Sequence, residues 1–285
     1  MPYRLIAIDL DGTLLDAHKT ITERTKQAIQ RAIEQGVRVT LCTGRGLVTS
    51  AVVVRQLDLN TPLILNGGAL IYDSWARRTL YVRNLRRGVA FDTVHQLRAL
   101  QLDPVVYAPL PECQYFYFDA DDPSNVAFRR YVENNPERAQ RVEDVLDMIW
   151  NDPAMVAATE TVGRVRALAP QVVARLPDTT VTLEISPTDP AYCHLTITPA
   201  GVSKGSGLRE LAGLLGIGLA ETMAVGDNLN DLDMFATAGL SVAMGNATPE
   251  VKARARYVTA SNNEDGVAAV IERFVLDGQK PCITS

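Results

Sequence analysis

The sequence predicts a doubly wound α/β fold whose parallel sheet is interrupted by a separate α+β insert. Three observations carry this. Apolar strand-like runs alternate with amphipathic helix patterns up to about residue 83. The same rhythm returns after Gly201. Between them lies a stretch of different character, richer in aromatics: Tyr107, Tyr115, Phe116, Tyr117, Phe118 and Phe128. Strands alternating with helices imply parallel pairing with helices on both faces.

Arg4–Leu10 is a β-rich apolar run that ends in the turn signal Asp11-Gly12-Thr13. Thr22–Gln35 reads as a helix with Ala28, Ile29, Ala32 and Ile33 on one stripe, and Gly36 as its C-terminal stop. Val37–Cys42 predicts a second buried strand, Gly46–Leu57 a second helix, and Pro62–Leu65 a third strand. Ala69–Tyr72 and Thr79–Val82 flank a polar stretch and predict a hairpin. In the insert, helices are expected at Gly88–Leu100, near Asn125–Asn134 and at Val162–Arg175. Strands are expected at Pro104–Ala108, Gln114–Phe118, Met155–Thr159, Val181–Ile185 and Cys193–Ile197. The returning part reads as helix Ser203–Leu215, strand Thr222–Val225, helix Asp231–Ala238, strand Leu240–Ala243, helix Pro249–Ala253, strand Tyr257–Thr259 and helix Asp265–Leu276. The expected division is therefore a discontinuous core, 1–83 and 195–285, with an insert at 84–194.

The chain has 285 residues, 47% hydrophobic and 21% charged, enough for a sizeable core. Its net charge of −5 argues against bulk binding to nucleic acid or an anionic membrane. No apolar run reaches the roughly 18–20 residues of a membrane span. The start leads almost directly into Leu5-Ile6-Ala7-Ile8, without the pattern of a signal peptide. Cys42, Cys113, Cys193 and Cys282 are scattered, with no metal-clip spacing, and read as reduced thiols. A cytoplasmic protein is expected.

In an open α/β sheet, ligands sit beyond the carboxyl ends of the strands, and four polar groups fall at such ends or at a helix start facing them. Asp9 and Asp11 follow the first strand; two carboxylates there are costly to bury without a partner, a cost that a divalent cation would offset. A carboxylate can attack phosphorus, and its neighbour can act as general acid and base. The plainer alternative is an Asp-Gly turn with solvated acids. Thr43-Gly44-Arg45 joins a strand to a helix, where a hydroxyl and backbone N–H groups make an anion site, or an ordinary turn. Lys204 lies in the first turn of a helix that Ser203 could cap; there it opposes the helix dipole, which binding of a phosphate oxygen would explain. Asp227 and Asp231 lie four apart around a turn, an oxygen set suited to Mg²⁺; a Ca²⁺ loop is the rival, against which the flanking strand and sheet speak. Each signal alone also fits a plain loop or surface residue. Together they supply a nucleophile, an acid/base, a phosphate cradle, a cation and metal ligands.

In this order the residues resemble the haloacid dehalogenase-like hydrolases, specifically the Cof-type phosphatases with a large α/β (type IIB) cap. Asp9–Thr13 is similar to that family's first motif, Thr43 in Leu41–Arg45 to the second, Lys204 in Gly201–Gly205 to the third, and Gly226–Asp231 to the fourth. Asn66-Gly67-Gly68-Ala69 is similar to its Asn-Gly-Ala stretch. The resemblance implies a Rossmann-like core with an α+β cap, and an Mg²⁺-dependent phosphatase acting on a small phosphorylated metabolite such as a sugar phosphate. Asp9 would form an aspartyl-phosphate. Asp11 would be acid/base and would offer its carbonyl to Mg²⁺. Leu10, Thr43, Gly44, Arg45, Asn66, Lys204 and Asn230 would surround the phosphate. Asp9, Asp11 and Asp227 would hold the metal, with Asp231 supporting it, and the chain would be a monomer or small homo-oligomer.

Two features depart from the family pattern. The expected Leu-Glu-Ile before Gly-Val-Ser-Lys is replaced by His194–Pro199; Leu183-Glu184-Ile185 occurs earlier, followed by Pro187-Thr188-Asp189-Pro190, which suggests a longer hairpin. Asn66-Gly67-Gly68 carries one extra glycine, read as a matter of flexibility. A phosphomutase or a non-catalytic phosphate sensor on the same scaffold are the competing functions; a sensor should lack Asp9 or Asp11, and both are present. In the insert, His95, His194, Arg83, Arg86, Arg87, Arg129 and Arg130 are candidates to contact the organic part of a substrate, or are simply solvated.

Overall fold

The computed structural model describes residues 3–120, 124–186 and 189–279. Cys282, Pro187 and Thr188 lie outside these residues. The chain divides into two compact units. One takes in the chain up to Arg45, Thr49–Tyr81 and the chain from Ser203 on; the other is Gly46–Val48 with Val82–Val202.

The first unit opens with β1 (Leu5–Ile8), in which every residue is buried, as a strand covered on both faces should be. Helix α1 (Glu23–Glu34) starts where the Thr22 hydroxyl accepts from the Thr25 amide, and it buries Ala28, Ile29 and Ala32. Gly36, just past its end, takes the left-handed φ of 85°, the conformation that ends helices most cheaply at glycine. Strand β2 (Arg38–Leu41) pairs in parallel with β1, Leu5 opposite Arg38 and Ile8 opposite Leu41. Helix α2 (Leu47–Val54) follows.

The third expected strand behaves differently. β3 (Leu63–Leu65) meets the end of β2 through a single parallel bridge, Cys42 to Ile64. Its main partner is β4 (Leu70–Asp73), antiparallel, in a three-stranded sheet completed by β5 (Arg78–Val82). The reason lies in Asn66-Gly67-Gly68, with φ of 50°, 61° and 97°. Three left-handed residues in a row turn the chain back on itself after only three strand residues, so β3 is paired by its own continuation.

The second unit is built on a six-stranded sheet: β6 (Val105–Tyr107), β7 (Phe116–Phe118), β8 (Ala139–Arg141), β9 (Val156–Thr161), β10 (Thr179–Ile185) and β11 (Tyr192–Pro199), in the order β10-β11-β9-β6-β7-β8. One face packs against α3 (Arg87–Ala99) and α5 (Val162–Arg175), with Val94, Leu97, Val165 and Val172 meeting Val106, Val156, Ala158, Leu195 and Ile197. Between them in sequence, α4 (Val126–Glu133) is capped by the Asn125 side chain. β10 and β11 form a hairpin paired in register from Thr179–Pro199 to Ile185–Cys193. The boundary expected at residue 195 falls inside this hairpin: Leu195 pairs with both Leu183 and Ala158, so the strand continues to Pro199 and the first unit resumes at Ser203. β8, Ala-Gln-Arg, has no apolar alternation to announce it; it is a strand because β7 offers an open edge, Phe116 opposite Ala139.

The chain returns with α6 (Lys204–Leu215), β12 (Thr222–Gly226), α7 (Leu232–Thr237), β13 (Leu240–Ala243), α8 (Pro249–Lys252), β14 (Tyr257–Val258) and α9 (Gly266–Ile271). The last helix is shorter than expected, because Glu272–Leu276 winds as a π-turn. The main sheet is parallel throughout, in the order β14-β13-β12-β1-β2. From β1 the chain runs one way to β2 and later the other way through β12 and β13. The order therefore reverses between β1 and β12, and the crevice beyond their carboxyl ends is where such sheets bind ligands. Among the described residues no helix is long and apolar enough to cross a membrane.

Candidate active site

The carboxyl ends of β1 and β12 bring Asp9 and Asp227 to that crevice. The Asp9 amide donates to the Val225 carbonyl at 2.9 Å, extending the β1–β12 ladder by one rung and fixing the start of the loop. Leu10 is fully buried and Asp9 almost so. Gly12 follows with φ 79°. A Cβ there would stand 2.4 Å from Asp227 Oδ2, so both the turn and the close approach of Asp227 require glycine. Thr13, also buried, donates its hydroxyl to Asp227 Oδ1 at 2.7 Å.

Lys204 enters from the first turn of α6, which Ser203 and Ser206 cap reciprocally. Its side chain is 2% exposed, and its ammonium donates to Asp9 Oδ1 at 2.6 Å, Asp231 Oδ1 at 2.6 Å and Asn230 Oδ1 at 3.2 Å. Asp231 is fully buried, and its second oxygen accepts from the Asp227 and Asn228 amides at 2.9 and 3.0 Å. Both Asp231 oxygens are thus engaged by protein donors. Gly226 makes this possible, since a Cβ at that position would lie 2.4 Å from the Asp231 carboxyl carbon.

The third wall comes from the ends of β2 and β3. Thr43 is buried, its amide donates to Ile64 O, and its hydroxyl accepts from the Arg45 amide at 3.1 Å. The turn after β3 locks onto this segment: Asn66 N donates to Arg45 O and Gly67 N to Thr43 O, both at 3.0 Å. Gly68 is a requirement of packing rather than a source of flexibility: a Cβ there would sit 2.0 Å from the Ser203 carbonyl at the start of α6. Asn66 is buried at a left-handed φ, and among the described residues its Oδ1 finds no hydrogen-bond donor. A buried polar atom left unpaired costs on the order of 1–3 kcal/mol, and a ligand group would satisfy it.

The electrostatics follow from the geometry. Burial pushes the Asp9 carboxyl well above the ordinary carboxylate range; Lys204 opposes this, while the Asp231 and Asp227 carboxylates add to it. One ammonium faces three carboxylates whose ligand atoms lie within 4.8 Å of one another: Asp9, Asp227 and Asp231. An all-oxygen set with excess negative charge fits a hard divalent cation. Since Asp231 already accepts three hydrogen bonds from the protein, Asp9 and Asp227 are the carboxylates better suited to direct contact, with Asp231 behind them.

Two sequence expectations take a different form. Arg45 grips Asp11 in a two-pronged ion pair, Nε to Oδ2 at 2.7 Å and Nη2 to Oδ1 at 2.5 Å, rather than standing in open space for an anion. In the second unit, Arg130 pairs with Asp189 at 2.5 Å, and His194 Nδ1 meets the Thr159 hydroxyl at 2.8 Å beneath the Tyr131 ring. Thr13 and Asn246 were not expected in the site. Thr13 stood in the turn signal Asp-Gly-Thr, but a hydroxyl's partner 214 residues away leaves no local trace.

A family model described as haloacid dehalogenase-like hydrolase matches residues 6–271. The chain belongs to the haloacid dehalogenase-like hydrolases. It is 33% identical over 283 residues to YitU of Bacillus subtilis, a 5-amino-6-(5-phospho-D-ribitylamino)uracil phosphatase, covering 96% of this chain and 97% of YitU. YcsE of the same organism, which bears the same enzyme name, is 31% identical over 273 residues, 96% of each chain. The fold is similar to that of the subclass IIB sugar phosphatase BT4131, with a TM-score of 0.77 at 21% identity over 95% of this chain and 98% of that one. The chain is a phosphatase hydrolase of the Cof type.

Proposed function

We propose that this hydrolase uses Mg²⁺ and removes phosphate from a small phosphorylated metabolite through an aspartyl-phosphate on Asp9. The observation that carries the reading is the gathering of Asp9, Lys204, Asp227 and Asp231 at the β1/β12 reversal. Asp9, Asp227 and the Asp11 carbonyl would hold the cation, which when bound supplies charge neutralisation to the phosphoryl oxygens. The Asp9 carboxylate attacks phosphorus and the bond to the ester oxygen breaks. Asp11 gives its proton to that oxygen, then takes one from the water that attacks the aspartyl-phosphate, releasing inorganic phosphate and restoring Asp9. Lys204 and the Thr43 hydroxyl hold the phosphoryl oxygens, with Leu10, Gly44, Asn66 and Asn230 around them.

The Arg45–Asp11 pair fits this cycle as a resting arrangement. A carboxyl that gives up a proton must first gain one, so as substrate enters the pair opens and Asp11 takes a proton from solvent. Arg45 then turns to the phosphoryl group, where its guanidinium fork can donate to two oxygens at once. The second unit is read as the cap that selects the organic group. The names of YitU and YcsE favour a phosphorylated open-chain polyol, such as one carried on a small heterocycle.

Phosphate release is to be measured with Mg²⁺ against sugar phosphates, 5-amino-6-(5-phospho-D-ribitylamino)uracil, flavin mononucleotide and pyridoxal phosphate. Asp9→Asn is expected to abolish turnover in a folded protein, and a chelator to stop the wild type until Mg²⁺ is restored. Wild-type-like turnover by Asp9→Asn, or full activity in the metal-free protein, would overturn the reading.

A further inference from the structure

We infer that Asn246 and Thr13 form a positioning relay that orients the Asp227 carboxylate toward a divalent cation. The inference rests on the metal role proposed above for Asp227.

The Asn246 amide is bonded at both ends. Its nitrogen donates to the Gly12 carbonyl at 2.8 Å, and its oxygen accepts from the Asn262 amide at 3.0 Å. The Asn262 bond fixes which way the amide faces, so a donor is directed at Gly12. That carbonyl belongs to the peptide joining Gly12 to Thr13. Holding it sets the plane from which the Thr13 side chain leaves, and the Thr13 hydroxyl donates to Asp227 Oδ1. The other carboxylate oxygen lies close against Gly12, where a Cβ would stand 2.4 Å from Asp227 Oδ2. Asp227 is therefore placed from one side by Thr13 and Gly12, whose peptide is held by Asn246 on its carbonyl and by the turn's own bond from the Thr13 amide to Leu10 O. Partners of this outer kind commonly set both the orientation and the affinity of a metal ligand.

The neighbouring residues supply a control. Asn262 also donates from its side chain to Leu15 O, and Asn263 accepts from the Ala17 amide, both farther along the same loop. Asn263 holds the loop at Ala17, four residues beyond Thr13 and away from the Gly12–Thr13 peptide. A merely structural role for Asn246 predicts that Asn246 and Asn263 behave alike; a relay predicts that they differ.

The test uses full-length protein and Mn²⁺ as the probe. Free Mn²⁺ is followed by electron paramagnetic resonance, and melting is recorded without metal. Thr13→Val and Asn246→Ala are each expected to weaken Mn²⁺ binding about tenfold. The double variant should be no more than about twofold weaker than Thr13→Val, because both act on one contact. Asn263→Ala should bind within about twofold of wild type, even where its melting temperature falls as far as that of Asn246→Ala. Asn246→Ser serves if the alanine variant does not fold. Wild-type binding by Asn246→Ala, equal losses in Asn246→Ala and Asn263→Ala, or fully additive losses in the double variant overturn the relay while leaving the metal role intact. Failure of the wild type to bind Mn²⁺ overturns the metal role and the relay with it.

Discussion

Asp231→Asn isolates how much the buried charge cluster contributes to the fold of the first unit. The wild-type carboxylate accepts from Lys204 on one oxygen and from two backbone amides on the other. An asparagine has one acceptor oxygen and one NH₂ group, so whichever way it turns, donors face donors. If the oxygen meets the backbone amides, the NH₂ abuts the Lys204 ammonium. If it meets Lys204, the NH₂ abuts two N–H groups. The first arrangement loses one bond between charged groups, about 1.5–3 kcal/mol, and reduces two others to neutral strength, roughly 1 kcal/mol each. Removing a negative charge beside Asp9 and Asp227 relieves part of their repulsion and offsets some of this. A net loss of about 3 kcal/mol is expected, large against the 5–15 kcal/mol of a whole domain. Calorimetry at neutral pH resolves the transition of the affected unit, and kcat should fall with it because Lys204 loses one of its two carboxylate anchors. A loss below about 1 kcal/mol would show that Lys204 is held by Asp9 and Asn230 alone and would refute the reasoning.

Two further outcomes are expected. Arg45→Ala removes both donors to Asp11 and the proposed phosphoryl contact; KM should rise at least tenfold, and steady-state kinetics showing an unchanged KM would dissociate Arg45 from substrate. In the second unit, burial lowers the His194 pKa to about 4, below its ordinary value of 6.5. A histidine kept neutral in the folded state stabilises fully above pH 6.5 and progressively less as pH falls toward 4, because the unfolded chain then binds the extra proton. The decline approaches about 3 kcal/mol at pH 4. Melting curves at pH 7 and 5 should show a steeper loss for wild type than for His194→Asn; parallel losses would exclude this histidine as the cause.

The main lesson concerns which features have a local cause. β1 was readable because a strand covered on both faces must be apolar throughout, and Leu5–Ile8 is. α1 was readable from its stripe and its Gly36 stop. The motif residues were readable because each sits at the end of a recognisable strand or helix. The sheet membership of β3 was not, because it depends on three consecutive left-handed residues after Leu65, of which only the glycines announce themselves. Neither was β8, whose Ala-Gln-Arg is a strand only because β7 leaves an edge for it.

In the site the division is similar. By itself the sequence determined the order of chemical groups along the chain: Asp9 and Asp11, Thr43, Lys204, then Asp227 and Asp231. That order follows from short-range patterns and survives without coordinates. Tertiary structure alone decided who touches whom: Lys204 bridging Asp9 and Asp231, Arg45 on Asp11 rather than in the open, Gly68 against Ser203, and Asn246 on Gly12. Each of these joins residues tens to hundreds of positions apart, where hydrogen-bond geometry and steric exclusion act through space and leave no periodicity to read.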